Sequence, residues 1–322
     1  MMANSRILIV RTDSIGDVML TLPMAYYIKQ LFPQSTVVFL GKSYTQDIVS
    51  RCLWVDEFLN ADAAVDDQSA SDWMKSLELD AVVFALPNAF WMKACAAARI
   101  KMRIATGHRL SSWKWATHRP MFGRKNSALH EAQLNLKLLS VFGLKNLPTF
   151  QELNRLELLS FRVTEKKRRL IIHPFSQGSA LNWTLQEYDE LVGLLKGNDW
   201  DLVVSGTAKD QVLLSDFGGE NLNSIPSICG ELTLDAFIDY IAESEMLLAC
   251  STGPLHLAAA AGIKAVGLYV NRRPIHPGRW APLGPQVFLL EENDQGQDTI
   301  LTTPTEVATF LKTIMERPTT MR

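Results

Sequence analysis

Arg6-Ile7-Leu8-Ile9-Val10-Arg11, then Thr12-Asp13-Ser14-Ile15-Gly16-Asp17, then Val18 to Phe32, is the stretch that decides the fold. The first six residues are a short β-branched run, read as a buried strand. The next six are turn-like, with Gly16 permitting a tight bend and close approach of a ligand. Val18–Phe32 has the spacing of a helix, stopped by Pro33. A strand, a turn and a helix at this spacing open a parallel α/β sheet.

The same alternation continues outward. Val37–Leu40 reads as a second strand, Ala81–Leu86 as a third buried strand and Met102–Ala105 as a fourth. Leu129–Phe142 reads as a helix closed by Gly143. After the basic stretch Arg162–Arg169 the pattern restarts, with strands expected at Leu170–His173, Leu202–Ser205, Met246–Ala249 and Ala265–Tyr269. Between them lie helices from Thr184 to about Lys196, at Leu234–Ala242 and at Leu255–Ala261. Thr184 with Glu187, and Thr303-Pro304-Thr305-Glu306, are capping boxes that open helices. The 322 residues, 36.0 kDa, suit two domains of about 150 residues each. We expect an N-terminal domain over 1–160 and a C-terminal one over 161–322, joined near 148–168. The expected ligand site is a cleft facing the carboxyl ends of the strands.

Composition narrows the function. Hydrophobic residues make up 47% and charged residues 20%, an ordinary globular balance. A net charge of -2 argues against an overall basic nucleic-acid binder. The charge is uneven, however. Residues 81–130 hold nine Lys and Arg and no acid, whereas 56–80 hold eight acids against one Lys. Cys52, Cys95, Cys229 and Cys250 show neither CxxC spacing nor a metal pattern, so reduced, buried thiols are expected. The opening MMANSRILIV runs straight into a strand and leaves no room for a signal peptide. No run of about 18 apolar residues occurs, so no spanning helix is expected, and the location read from this is cytoplasmic.

Four segments could carry chemistry. In Arg11–Asp17, Asp17 falls near a helix start. It is either a first-turn acid favoured by the dipole or a general base at the cleft mouth. The segment lacks GxGxxG, which disfavours a dinucleotide-dependent oxidoreductase. Ser251-Thr252-Gly253-Pro254-Leu255-His256 follows a strand and opens a helix, a ready site for a diphosphate or a simple capped turn. His256 there is either functional or a packed histidine. His173–Trp183 is a Gly/Ser loop between strand and helix, containing Ser176. Arg272-Arg273-Pro274-Ile275-His276-Pro277-Gly278-Arg279-Trp280 is a cationic, Pro-rich loop suited to an anion. Asp199-Trp200-Asp201 is a DxD, but in a polar link where acids are common, and a metal role is set aside.

Together these segments resemble the family 9 glycosyltransferases, the ADP-heptose:lipopolysaccharide heptosyltransferases. The stretches that carry the likeness are ILIVRTDSIGDVMLTLP, HEAQLNLKLLSVFGL, IIHPFSQGS with the following NW, VVSGTAKD and CSTGPLHLAAAAGIKAVGLY. The resemblance implies a GT-B fold, two Rossmann-like domains facing across a cleft. It implies an acceptor on the first domain, a nucleotide-sugar on the second and a last helix packing back on the first. Inverting chemistry without a metal or other cofactor is implied, with Asp17 as base. Ser176, Asp235, Ser251, Thr252, Gly253, His256 and Arg279 are the implied donor residues. Ser14, Gly16, Arg109 and Lys114 are those of an anionic glycan acceptor such as lipopolysaccharide core. Two positions depart from the family pattern: Leu181 stands for a Lys, and Ser251 for an Asp. Arg279, Arg272 or Arg273 could supply the missing cation. The alternative is a family member that binds a sugar nucleotide or glycan without turning it over. The basic, Trp-bearing run of 81–130 suits an anionic acceptor and a peripheral position on an anionic membrane face.

Overall fold

The chain forms two compact units, Met1–Ser160 and Phe161–Arg322. The structure is a computed structural model that describes residues 4–316 except 177, 179, 198, 297 and 298.

The first unit is built on five parallel strands: β1 (Arg6–Val10), β2 (Thr36–Gly41), β3 (Glu57–Asn60), β4 (Ala81–Phe84) and β5 (Met102–Ile104). Their order is β3-β2-β1-β4-β5. The central β1 places Ile9 beside Phe39 on one side and Val83 on the other. Ile7, Leu8 and Ile9 are fully buried. Helices on both faces explain why this strand is apolar at successive positions rather than at alternate ones.

The second unit repeats the architecture with β6 (Arg169–His173), β7 (Asp201–Val204), β8 (Met246–Cys250), β9 (Lys264–Asn271) and β10 (Val287–Asn293), all parallel. The order is β10-β9-β8-β6-β7. Each sheet therefore reverses its winding once, between β1 and β4 in the first and between β6 and β8 in the second. Loops at such a reversal diverge and leave a crevice at the carboxyl ends of the strands. The loop after β1 carries Asp13 to Asp17. The loops after β6 and β8 carry Ser176 and Ser251–Gly253. Two of the four chemical segments thus share the second reversal.

Some elements differ from the sequence expectation. The single helix expected over Val18–Phe32 is two, Ile15–Met19 and Pro23–Leu31. Pro23 has no N–H to continue the first helix, and it occupies the first helical position of the second. The helix expected over Leu129–Phe142 is α-helical at Glu131–Leu136 and then tightens to 3-10 geometry at Lys137–Phe142. Gly143 ends it in the left-handed conformation at φ +97°. The last described helix, Pro304–Met315, lies against Leu185–Leu195 inside the second unit. Its apolar face, Val307, Ala308, Leu311, Ile314 and Met315, belongs to that unit's core. The helix thus buries its apolar stripe within the second unit. Among the described residues no helix is long and apolar enough to cross a membrane. All four cysteines are buried and free.

Candidate active site

In the first unit the chemistry gathers just past β1. Ser14 precedes the helix Ile15–Met19, yet its hydroxyl does not cap that helix. It donates to Asp17 Oδ2 at 2.7 Å instead. The other Asp17 oxygen meets the Arg11 guanidinium. Asp17 is thus neither an N-cap nor a free surface acid. Its carboxylate is fixed on both oxygens, with about a fifth of the side chain still open to solvent. Gly16 beside it is half-buried.

Arg11 is the hub. Its side chain is almost wholly buried, and Nη2 also lies 3.3 Å from Asp13 Oδ2. Nη1 is 3.7 Å from Glu131 Oε1. Glu131, itself buried, forms a second ion pair with Arg124. Arg124 Nη2 donates to the Ala85 carbonyl just past β4 at 2.6 Å, and so reaches the other side of the crevice. The Tyr44 hydroxyl, from the segment after β2, donates to the Asp13 carbonyl at 2.5 Å. Burial pushes the Asp13 carboxyl up, with Asp17 and Glu131 adding to the rise and Arg11 opposing it. Of these groups the sequence reading named only Ser14, Gly16 and Asp17 as site residues. Two signals were available for the rest. Arg11 is a charge at the end of a wholly apolar strand, and Glu131 is the first acid after the acid-free run.

Arg109 and Lys114 lie farther along, on the segment after β5. Arg109 immediately precedes the helix Leu110–Trp115, and both side chains are exposed. Lys114 stands 5.0 Å over the Trp115 ring and Arg119 4.9 Å over Trp113. Leu110 is 90% exposed, Trp113 60% and Met121 64%. Cations and large apolar side chains share one outward face.

In the second unit, Thr252 precedes the helix Gly253–Ala260, with Pro254 in its first turn. Thr252 is 7% exposed, and its hydroxyl has no hydrogen-bond partner and does not cap the helix. A buried, unpaired hydroxyl at a helix N-terminus is a costly arrangement unless an acceptor arrives. His256 is buried on the same helix. Ser251 hydrogen-bonds the buried Tyr269, whose hydroxyl donates to the Trp280 carbonyl at 3.1 Å. Burial raises Tyr269, and the Ser251 bond partly opposes this.

Ser176 lies in the loop after β6. That loop is held at its far end by Asn182, whose Nδ2 donates to the Pro174 carbonyl at 2.6 Å. Asn182 Oδ1 accepts from Cys250 Sγ at 2.7 Å and from Tyr188 at 2.9 Å. Trp183 is buried, and its indole N–H donates to the Thr302 carbonyl at 2.9 Å. The Asn-Trp pair is internal bracing of the loop.

On the cationic loop, Arg272 pairs with Asp294 at 2.8 Å. Arg279 stands 4.7 Å over the Trp280 ring. His276 is lowered by burial first and then by Arg273 and Arg279, so these three groups lie within electrostatic reach of one another. Asp235 lies apart on the first turn of the helix Leu234–Glu243, where it pairs with Arg162. Asp199 and Asp201 sit at the entry to β7, opposite the end from which these loops leave.

The family model for glycosyltransferase family 9 (heptosyltransferase) matches residues 86–303, about two thirds of the sequence. The chain belongs to glycosyltransferase family 9. A Haemophilus influenzae protein described as a candidate glycosyltransferase is 26% identical over 310 residues, covering 86% of each chain. The Escherichia coli ADP-heptose lipopolysaccharide heptosyltransferase II superposes with a TM-score of 0.77 at 19% identity, covering 96% of this chain and 98% of that one. The E. coli heptosyltransferase WaaC, solved with ADP, gives 0.73 at 16% identity, over 96% and 99%. The two parallel five-stranded sheets are those of the GT-B fold.

Family membership gives the two departures a physical setting. Leu181 is half-buried against the apolar cluster of the second unit. Ser251 spends its hydroxyl on Tyr269.

Proposed function

We propose that this family 9 member is an inverting, metal-independent transferase that moves heptose, or a related sugar, from ADP-heptose to an anionic lipopolysaccharide-core glycan. The observation that carries the reading is Asp17: a part-exposed carboxylate fixed by Arg11 and Ser14 at the reversal of the first sheet. Its fixed oxygens suit a general base. Asp17 takes the proton of the acceptor hydroxyl as that oxygen attacks the anomeric carbon from the face opposite ADP. One displacement forms the new C–O bond, breaks the bond to the diphosphate and inverts the centre. The proton ends on Asp17 and the electron pair on ADP, whose growing charge needs donors aimed at it. The Thr252 hydroxyl, the N–H groups that open Gly253–Ala260, and Arg279 with Arg273 supply them. Ser176, His256 and Ser251 border this donor region, and Asp235 is assigned to the ribose. Ser14, Gly16, Arg109 and Lys114 are assigned to the acceptor.

Thr252→Val tests the donor half. It removes a hydroxyl that has no partner without ligand, so thermal stability should hold or rise. ADP affinity should fall about 10- to 100-fold, the size of one hydrogen bond to a charged group. Calorimetry showing unchanged affinity would detach this hydroxyl from the diphosphate.

The cationic apolar face around Leu110–Trp115 suits an acceptor embedded in an anionic lipid surface. The deciding experiment follows ADP release from a panel of nucleotide sugars, with a lipid-A-core acceptor offered on vesicles containing anionic lipid. Release from ADP-heptose that requires the acceptor, and weakens as salt rises, is expected. A second reading, binding without turnover, is favoured by the buried setting of Leu181 and the engaged Ser251. Tight donor binding with no release from any donor would select it.

A further inference from the structure

We propose that Glu131 and Arg124 are positioning residues for Asp17, holding its side chain and its main chain by two separate routes. The inference rests on the reading of Asp17 as the base. The first route runs through charge: Arg124 pairs with Glu131, Glu131 faces Arg11, and Arg11 pairs with the Asp17 carboxylate. The second runs through neutral groups. Arg124 Nη2 donates to Asn135 Oδ1 at 3.1 Å. Asn135 Nδ2 donates to the Leu20 carbonyl at 3.0 Å and to Thr21 Oγ1 at 3.2 Å. The Thr21 hydroxyl in turn donates to the Asp17 carbonyl at 2.8 Å. Glu131 and Asn135 lie four residues apart on one helix, so a single face serves both routes. Asn135 is fully buried and Glu131 nearly so, which leaves them little freedom to move.

The charge route also sets how much of the Arg11 guanidinium Asp17 feels. The titratable and charged groups around Asp17 are Arg11 and Asp13 from the segment after β1, Tyr44 from the segment after β2, and Arg124 and Glu131 from the far side. Glu131 draws part of the Arg11 charge away from Asp13 and Asp17. Without it the Arg11 guanidinium loses the partner that ties it to the far side.

Glu131→Gln therefore should lower kcat about 10- to 100-fold, the cost of a slightly misplaced reacting group, while KM for ADP-heptose stays put. Glu131→Asp should recover part of the loss. A merely structural residue would change melting without separating kcat from KM. If Glu131→Gln does not fold, Asn135→Ala cuts the second route alone and should show the same drop in kcat at constant KM. Asp17→Asn runs in parallel. If it is inactive while folded Glu131→Gln, or Asn135→Ala in its place, turns over like the parent, the positioning role is overturned and the base reading stands. If Asp17→Asn turns over normally, the base reading itself falls and takes this inference with it.

Discussion

Asp17→Asn should cut sugar transfer about a thousandfold, within the range that a general base contributes. The amide is close in shape to the carboxylate; its oxygen can still accept from Arg11 while its nitrogen donates to the Ser14 hydroxyl, which turns its own proton to solvent, so the local structure should hold. It cannot take the acceptor proton. ADP binding, assigned to the second unit, should be unchanged by calorimetry. That split between lost turnover and kept affinity is the signature of a base. Equal turnover would reject it. A combined loss of turnover and ADP affinity would point to a disturbed structure instead.

The second large effect falls on stability. Arg11→Met keeps the length of the side chain but removes the cation between Asp13, Asp17 and Glu131. Glu131 is almost fully buried, and breaking a buried ion pair from one side leaves a desolvated charge behind. The expected cost is about 3 kcal/mol, the low end for such a break, because Arg124 still faces Glu131. The loss should be confined to the first unit, so a single melting midpoint is a poor readout for a chain of two units. Hydrogen exchange at the β1 and β4 amides reads that unit by itself. A loss below about 1 kcal/mol would show that Arg11 is not a buried counterion of consequence.

What the sequence revealed, and what it hid, follows from burial and distance along the chain. β1, β4, β6 and β8 are covered on both faces, so each is a continuous apolar run that needs no partner to be recognised. The edge strands β3 and β10 are half-covered and mix acids with apolar residues, as in Glu57-Phe58-Leu59-Asn60. They gave no clear period and were not expected. The segment after β1 and the Thr-Gly turn were legible because a reversal point leaves such loops at a crevice by topology alone. The charged hub was not legible. Arg11 meets Glu131 across 120 residues, and nothing in local spacing encodes that meeting. The long acid-free run of 81–130 ends at Glu131, an acid buried between two arginines. The charge asymmetry that pointed to an outward anionic partner also marked an inward one.

The bracing of the loop after β6 has a consequence for how the protein is made. Asn182 and Trp183 are held from far downstream, by Thr299, whose hydroxyl donates to the Asn182 carbonyl at 3.0 Å, and by Thr302. These contacts span 117 and 119 residues. During synthesis the first unit has all its strands and its Arg124–Asn135 clamp once residue 160 has emerged, whereas the loop after β6 waits for residue 302. The ribosome therefore delivers a complete first unit well before the second can finish, and truncation near the carboxyl end would leave that earlier unit standing alone.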